Sequence, residues 1–185
     1  MPVLDPLENR VAMRDCSGSV GRTSAGFKVL GVDPGSHVTG YGVVEMTGRG
    51  VRWVTHGEIR PSRGALLSIC LQTIYDALRE VISLSGPDAM VIEDIFYGKN
   101  VKSLIRQGHV RGGAILAGRH CGIPVYEYSP AEIKKAAVGY GRAEKGQVQT
   151  MIRAILKLPE LPPPDAADAL AAAICHLHFR KADPI

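Results

Sequence analysis

The chain is short of cysteine: Cys16, Cys70, Cys121 and Cys175 lie far apart among 185 residues, and no two form a CxxC pair. Such spacing supports neither a disulfide framework nor a zinc knuckle, and it fits a reducing cytoplasm. No apolar run approaches the roughly 18 residues that a membrane helix needs. The N-terminus carries Asp5, Glu8 and Asp15 and lacks the apolar centre of a secretion signal, so export is not expected. No Walker-type phosphate loop, Ser-His-Asp order or Cys-His pair is recognisable. Nothing like a linker divides the middle, so one domain is expected, over residues 27–180. Residues 1–26 read as a disordered extension, or as the product of a misassigned start with Met13 as one candidate, and residues 181–185 as a tail. The formal net charge is only +4, but it is unevenly spread.

What is present is organised around F-K-V-L-G-V-D-P-G-S-H-V-T-G-Y, residues 27–41. A short apolar run there ends on Asp33 and breaks at Pro34-Gly35. A strand would place Val29, Gly31 and Asp33 on one face and Leu30 and Val32 on the other, leaving Asp33 at a strand end. Many strand-end carboxylates only cap turns. Whether this one does more depends on other acids reaching the same end.

Residues 38–46 and 51–59 are rich in β-branched and aromatic side chains and predict a hairpin that extends the first strand into an antiparallel meander. Helical spacing of Leu67, Leu71, Ile74, Leu78 and Val81 predicts a helix over 65–84, stopped by Gly86-Pro87. The run A-M-V-I-E-D-I-F is too short and apolar for a helix, so residues 88–96 predict a buried strand carrying Glu93. Residues 100–120 read as a helix despite Gly108, Gly112, Gly113 and Gly118, each costing about 0.5–1 kcal/mol relative to Ala. Close packing against the sheet or a second subunit would offset that. Another strand follows at 123–128. Ser129-Pro130-Ala131-Glu132 is a capping box with proline in the first helical turn, which explains Glu132 better than catalysis does. Val148, Met151, Ile152, Ile155 and Leu156 mark a further helix, and D-A-A-D-A-L-A-A-A-I-C after three prolines marks the last.

This order predicts an α/β domain with a mixed sheet in which the Asp33 and Glu93 strands lie side by side. Asp165 and Asp168 are three residues apart, on one helix face, with Asp165 in the first turn where the dipole favours it. Alone they could simply cap the helix. Together, four acids repel and are stable mainly around hard divalent cations, with an all-oxygen donor set suited to Mg2+ or Mn2+. Asp94 should face the opposite side of its strand. His176 and His178, two apart on a helix, cannot converge on one metal. Lys99, Lys102, Arg106, Arg111, Lys134, Lys135, Arg142 and Lys145 bracket the acids. They could form an ordinary solvated face, but cations beside metal-binding carboxylates suit a polyanion, so a nuclease is expected.

The segments V-L-G-V-D-P-G-S-H-V-T-G-Y-G, V-I-E-D-I-F-Y-G-K-N, Y-G-R-A-E-K-G-Q-V-Q and P-P-D-A-A-D-A-L-A resemble, in order, the motifs of the RuvC crossover junction endodeoxyribonucleases. The resemblance spans roughly residues 27–178. It implies a ribonuclease H-like fold with a mixed five-stranded sheet flanked by helices. It also implies a homodimer that resolves Holliday junctions in recombination and repair by paired Mg2+-dependent nicks, and partnership with RuvA and RuvB. Two ions per site are implied, with Asp33, Glu93, Asp165 and Asp168 as the acidic site. Phe96 falls on a DNA-contacting aromatic, and Lys134 and Lys145 on basic DNA contacts. Asp94 and His37 depart from the residues common in the family. Rival expectations are an actin-like nucleotide-binding domain, since G-V-D-P-G-S-H-V-T-G also resembles a first phosphate loop, and a noncatalytic DNA-binding scaffold.

Overall fold

Alternation along Phe27–Asp33 sets the architecture: in this strand, β1, Val29 joins one core while Leu30 and Val32 join another on the opposite side of the sheet. The computed structural model describes residues 26–95, 100–179 and 184, so the expected N-terminal extension up to residue 25 and most of the 181–185 tail lie outside the described residues. β2 (Thr39–Thr47) and β3 (Gly50–Ile59) complete the antiparallel meander. α1 (Leu67–Ser85), β4 (Ala89–Glu93), α2 (Val101–His120) and β5 (Val125–Tyr128) then add two parallel strands. α3 (Pro130–Val138), α4 (Lys145–Leu156) and α5 (Pro164–Phe179) end the chain. The strand order is β3-β2-β1-β4-β5, the mixed five-stranded sheet expected.

The second buried strand is shorter than expected. It stops at Glu93, because its neighbour β5 ends at Tyr128; Asp94 N–H donates one more bond to the Tyr128 carbonyl (2.9 Å) and the ladder is over. On α1 the fully buried row is Cys70, Ile74, Leu78 and Ile82, and the expected Leu67, Leu71 and Val81 flank it. An uninterrupted four-residue spacing gives one straight ridge, in which cysteine serves as a small apolar residue. On α4, Val148, Ile152 and Leu156 point inward, while Met151 is exposed. Of the α2 glycines, Gly118 is seated on the sheet, where an added Cβ would lie 2.8 Å from Met90 Sδ and 2.9 Å from Val125 Cγ2. No atom lies within 4 Å of a Cβ built on Gly112 or Gly113.

α5 is the central helix of the other layer, lying between the sheet and the α3–α4 pair. Every residue from Ala166 to Leu177 is buried except Asp168. Its alanines face strand glycines. A Cβ on Gly31 would fall 1.9 Å from the Ala169 carbonyl oxygen, one on Gly40 would fall 2.0 Å from that of Asp165, and one on Gly42 would fall 2.5 Å from Leu170 Cγ. Bare glycine backbone lets the helix settle directly on β1 and β2, which fixes where its first turn begins.

Candidate metal centre

β1 and β4 are parallel neighbours with Val32 opposite Ile92, so Asp33 and Glu93 leave the sheet side by side. The turn after Asp33 is held by Thr39, whose buried hydroxyl donates to the Gly35 carbonyl (2.8 Å). Gly40, next in sequence, is the seat of the Asp165 backbone described above. The first turn of α5 is thereby carried to the end of β1. One carboxylate oxygen from each of Asp33, Asp165 and Asp168 lies within 4.8 Å of the others. Glu93 shares a side-chain hydrogen bond with Asp33 and feels the charge of Asp168. Asp33 thus meets acids of both β4 and α5.

The electrostatics are those of a site short of positive charge. Burial, then repulsion from Glu93, Asp168 and Asp165, pushes the Asp33 carboxyl up to about 8. Glu93 is also raised, by burial and by Asp168, against the opposing hydrogen bond from Asp33 and the charges of Lys145 and Lys134. Burial likewise raises Asp168, although the Lys145 ammonium opposes it. Carboxyls raised by burial and by one another are the signature of acids arranged to share a cation. The donors are all hard oxygens, so Asp33, Glu93, Asp165 and Asp168 fit a hard divalent cation.

The cations divide into three groups. Lys145, the first residue of α4, reaches the acids directly, with Nζ 3.4 Å from Asp165 Oδ1 and 3.3 Å from Asp168 Oδ2. Burial alone would lower its ammonium, but Asp168, Asp165 and Asp33 outweigh that and hold it above its usual range. Lys134 on α3 is near enough for its charge to act on Glu93 and Asp168. Arg111 differs from the sequence expectation: it turns inward from α2 and pairs with Glu127 on β5. Burial lowers its guanidinium, and the charge of Asp94 opposes this. Phe96 and Lys99 lie outside the described residues.

Glu132 is occupied as the expected cap, accepting from the Ser129 backbone N–H at 2.7 Å. His176 is buried at 2% exposure with its Nδ1 3.1 Å from the Tyr128 hydroxyl, a core position consistent with the structural role expected of it. Sequence reasoning missed Gly31, Gly40 and Thr39. The signal for the last two was T-G inside V-T-G-Y-G, which periodicity alone does not interpret.

A family model described as Crossover junction endodeoxyribonuclease RuvC matches residues 29–176. A crossover junction endodeoxyribonuclease RuvC from Syntrophotalea carbinolica is 48% identical over 152 residues, covering 82% of this chain and 94% of its own. One of the same name from Shewanella piezotolerans is 49% identical over 153 residues, covering 83% and 88%. Among solved structures, Thermus thermophilus RuvC in complex with Holliday junction substrate superposes with a TM-score of 0.76 at 32% identity, covering 83% of this chain and 94% of that one. The yeast mitochondrial Holliday junction resolvase Ydc2, at 12% identity and a TM-score of 0.58, shares the fold.

Proposed function

Because the chain belongs to the RuvC family of crossover junction endodeoxyribonucleases, we propose that it resolves four-way DNA junctions in recombination and repair. It does so by paired nicks that leave 5′-phosphate, ligatable ends. The observation that carries this reading is the convergence of Asp33, Glu93, Asp165 and Asp168 from three elements distant in sequence. The nuclease domain is residues 27–180.

Two Mg2+ ions, or Mn2+ in their place, would supply an activated water and charge stabilisation of the departing 3′ oxygen. Asp33 would hold both ions, Glu93 one and the Asp165/Asp168 pair the other, a division that suits an acid in contact with carboxylates of both β4 and α5. Lys134 and Lys145 receive phosphates of the DNA backbone. Phe96 follows the Glu93 strand and stacks on a base unpaired at the crossover, a contact worth about 1–3 kcal/mol. Discrimination for the junction lies outside the acids, in the spacing of two such centres and the basic surface between them.

Two incisions call for two centres, and the described residues hold one, so the working form is a homodimer. Its contact face is the α1–α2 side. There Ile105 (56% exposed) and Leu116 (53%) rim an apolar groove of about 740 Å³ floored by Gly108, Gly112 and Gly113. The open space over Gly112 and Gly113 lets a second backbone approach closely. RuvA and RuvB are its partners in branch migration, and its place is the cytoplasm. Among the described residues, no helix is long and apolar enough to cross a membrane.

The test is cleavage of a four-way junction by the purified chain with Mg2+, beside Glu93→Gln. The reading expects paired nicks from the wild type, and junction binding without cleavage from the variant. Binding without metal-dependent nicking by the wild type would favour the noncatalytic scaffold, and saturable ATP binding would favour the actin-like domain.

A further inference from the structure

A cation in the first turn of a helix is disfavoured by the helix dipole, yet α4 begins with Lys145. Its side chain is 63% exposed, and still it extends to two carboxylates of another helix. Both contacts are long. At 3.4 and 3.3 Å they exceed the 2.7–2.9 Å of a strong charge-assisted hydrogen bond, so the ammonium lies between the acids without being clamped by either. The backbone beneath it is firm. Gln147 accepts from the Glu144 N–H at 2.9 Å, Gln149 donates to the Pro162 carbonyl at 2.9 Å, and Val148 and Ile152 are buried. A fixed backbone with a flexible four-carbon stem gives a charge that can swing without moving the fold.

We infer that Lys145 is a built-in counter-ion: its ammonium fills the cation position between Asp165 and Asp168 in the metal-free protein, and metal entry drives it off the acids toward the scissile strand. This rests on the reading of the four acids as the metal site. A divalent ion binds carboxylate oxygen at about 2.0–2.1 Å with twice the charge, so it displaces a loosely held ammonium from the same oxygens. Two cations sharing those oxygens would repel strongly at such separations. Lys145 therefore has two stations. Before metal binds it relieves the repulsion among the acids; afterwards it is released to meet a phosphate. The free ammonium thus becomes available to DNA only when the site is loaded, which ties substrate contact to metal occupancy.

The test is Mn2+ titration of the full-length chain without DNA, by calorimetry or spin resonance, alongside thermal melts without metal. Lys145→Ala removes the competitor, and should bind Mn2+ about tenfold more tightly than wild type while melting at a lower temperature when metal-free. Lys145→Arg places a bidentate guanidinium on the two carboxylates and should bind Mn2+ more weakly than wild type, with a higher Mg2+ requirement for cleavage. Equal Mn2+ affinity in all three proteins, or weaker binding by Lys145→Ala, would overturn the counter-ion role and leave the metal site itself untouched. If no protein of the set bound Mn2+, the metal-site reading would fall, and this inference with it.

Discussion

On one face of the sheet, Gly31 and Gly40 meet the backbone of α5 and Gly42 meets its Leu170 side chain; on the other, Leu30, Val32, Met90 and Ile92 meet Ile74, Leu78, Val110 and Ala114 of α1 and α2. The two solutions differ in what they fix. Aliphatic side chains fill space and can shift among rotamers, so the α1–α2 layer is held well but adjustably. Backbone resting on backbone has no such slack. The acids require this second kind of contact, because carboxylates from a strand end and a helix start must stay within a few ångströms of one another against their own repulsion. The α1–α2 layer has no chemistry to position and turns an apolar groove outward instead.

The largest effect is expected from removing the repulsion that the α5 face resists. Asp33→Asn should lower junction cleavage by about a thousandfold or more while leaving junction binding. Metal-free stability should rise, and the sign follows from the shift. Asp33 ionises near 4 in the unfolded chain and is pushed up to about 8 in the fold. Between those values the fold retains a proton that the unfolded chain has lost, so this group's contribution to stability falls as pH rises from about 4 to about 8. Melts of the metal-free wild type should therefore decline across that window and those of Asp33→Asn should decline less. Mg2+ should recover more stability at pH 8 than at pH 5, since binding displaces the proton. A wild-type melt that stays flat over this range, with or without Mg2+, would contradict the assignment.

A smaller loss is expected from disturbing the seat of α5. Gly40→Ala puts a methyl group 2.0 Å from the Asp165 carbonyl oxygen and 2.2 Å from its carbonyl carbon, so the helix start must retreat. We expect a stability cost of about 3 kcal/mol, at the upper end for overpacking because the obstacle is backbone. Cleavage in the surviving folded fraction should fall about 100-fold, since a displacement near 1 Å at reacting groups is that costly. The control is Gly48→Ala in the turn between β2 and β3, away from both faces, where the added methyl meets nothing within 4 Å. Urea titrations of both, read with cleavage at matched folded fraction, separate seating from general destabilisation.

These contrasts mark how far the sequence could be read. Period-two alternation and turn residues placed the strands, and a parallel crossover put Asp33 beside Glu93. The capping box at Ser129 was legible because it is local, needing only residues three apart. The Gly-Ala seating was not, since Gly31, Gly40 and Gly42 take their meaning from a helix about 130 residues away whose path over β1 and β2 no local signal gives. Side-chain aim was equally hidden. Lys145 and Arg111 both read as cations bracketing the acids, yet one reaches them and the other turns in to Glu127, because long flexible stems leave the outcome to tertiary neighbours.

The mildest effect on chemistry is expected on the outward face. Leu116→Asp introduces a charge where a second copy would have to bury it, and because Leu116 is 53% exposed in the single chain the fold should tolerate the change. An unpaired charge at the contact costs several kcal/mol, so the dimer dissociation constant should rise about 100-fold or more with little change in melting temperature. Sedimentation should shift from dimer to monomer at micromolar concentration. Each monomer keeps its acids, its α5 seat and its Lys145, so single nicks in a four-way junction should persist, while the paired cuts that complete resolution become rare. Supplying the variant at concentrations above its raised dissociation constant should restore pairing. That recovery would distinguish a dimer defect from a damaged active site, which no amount of protein would repair. If Leu116→Asp sediments and resolves junctions as the wild type does, the α1–α2 groove is not the pairing face. The softer half of the molecule would then serve only to cover the sheet.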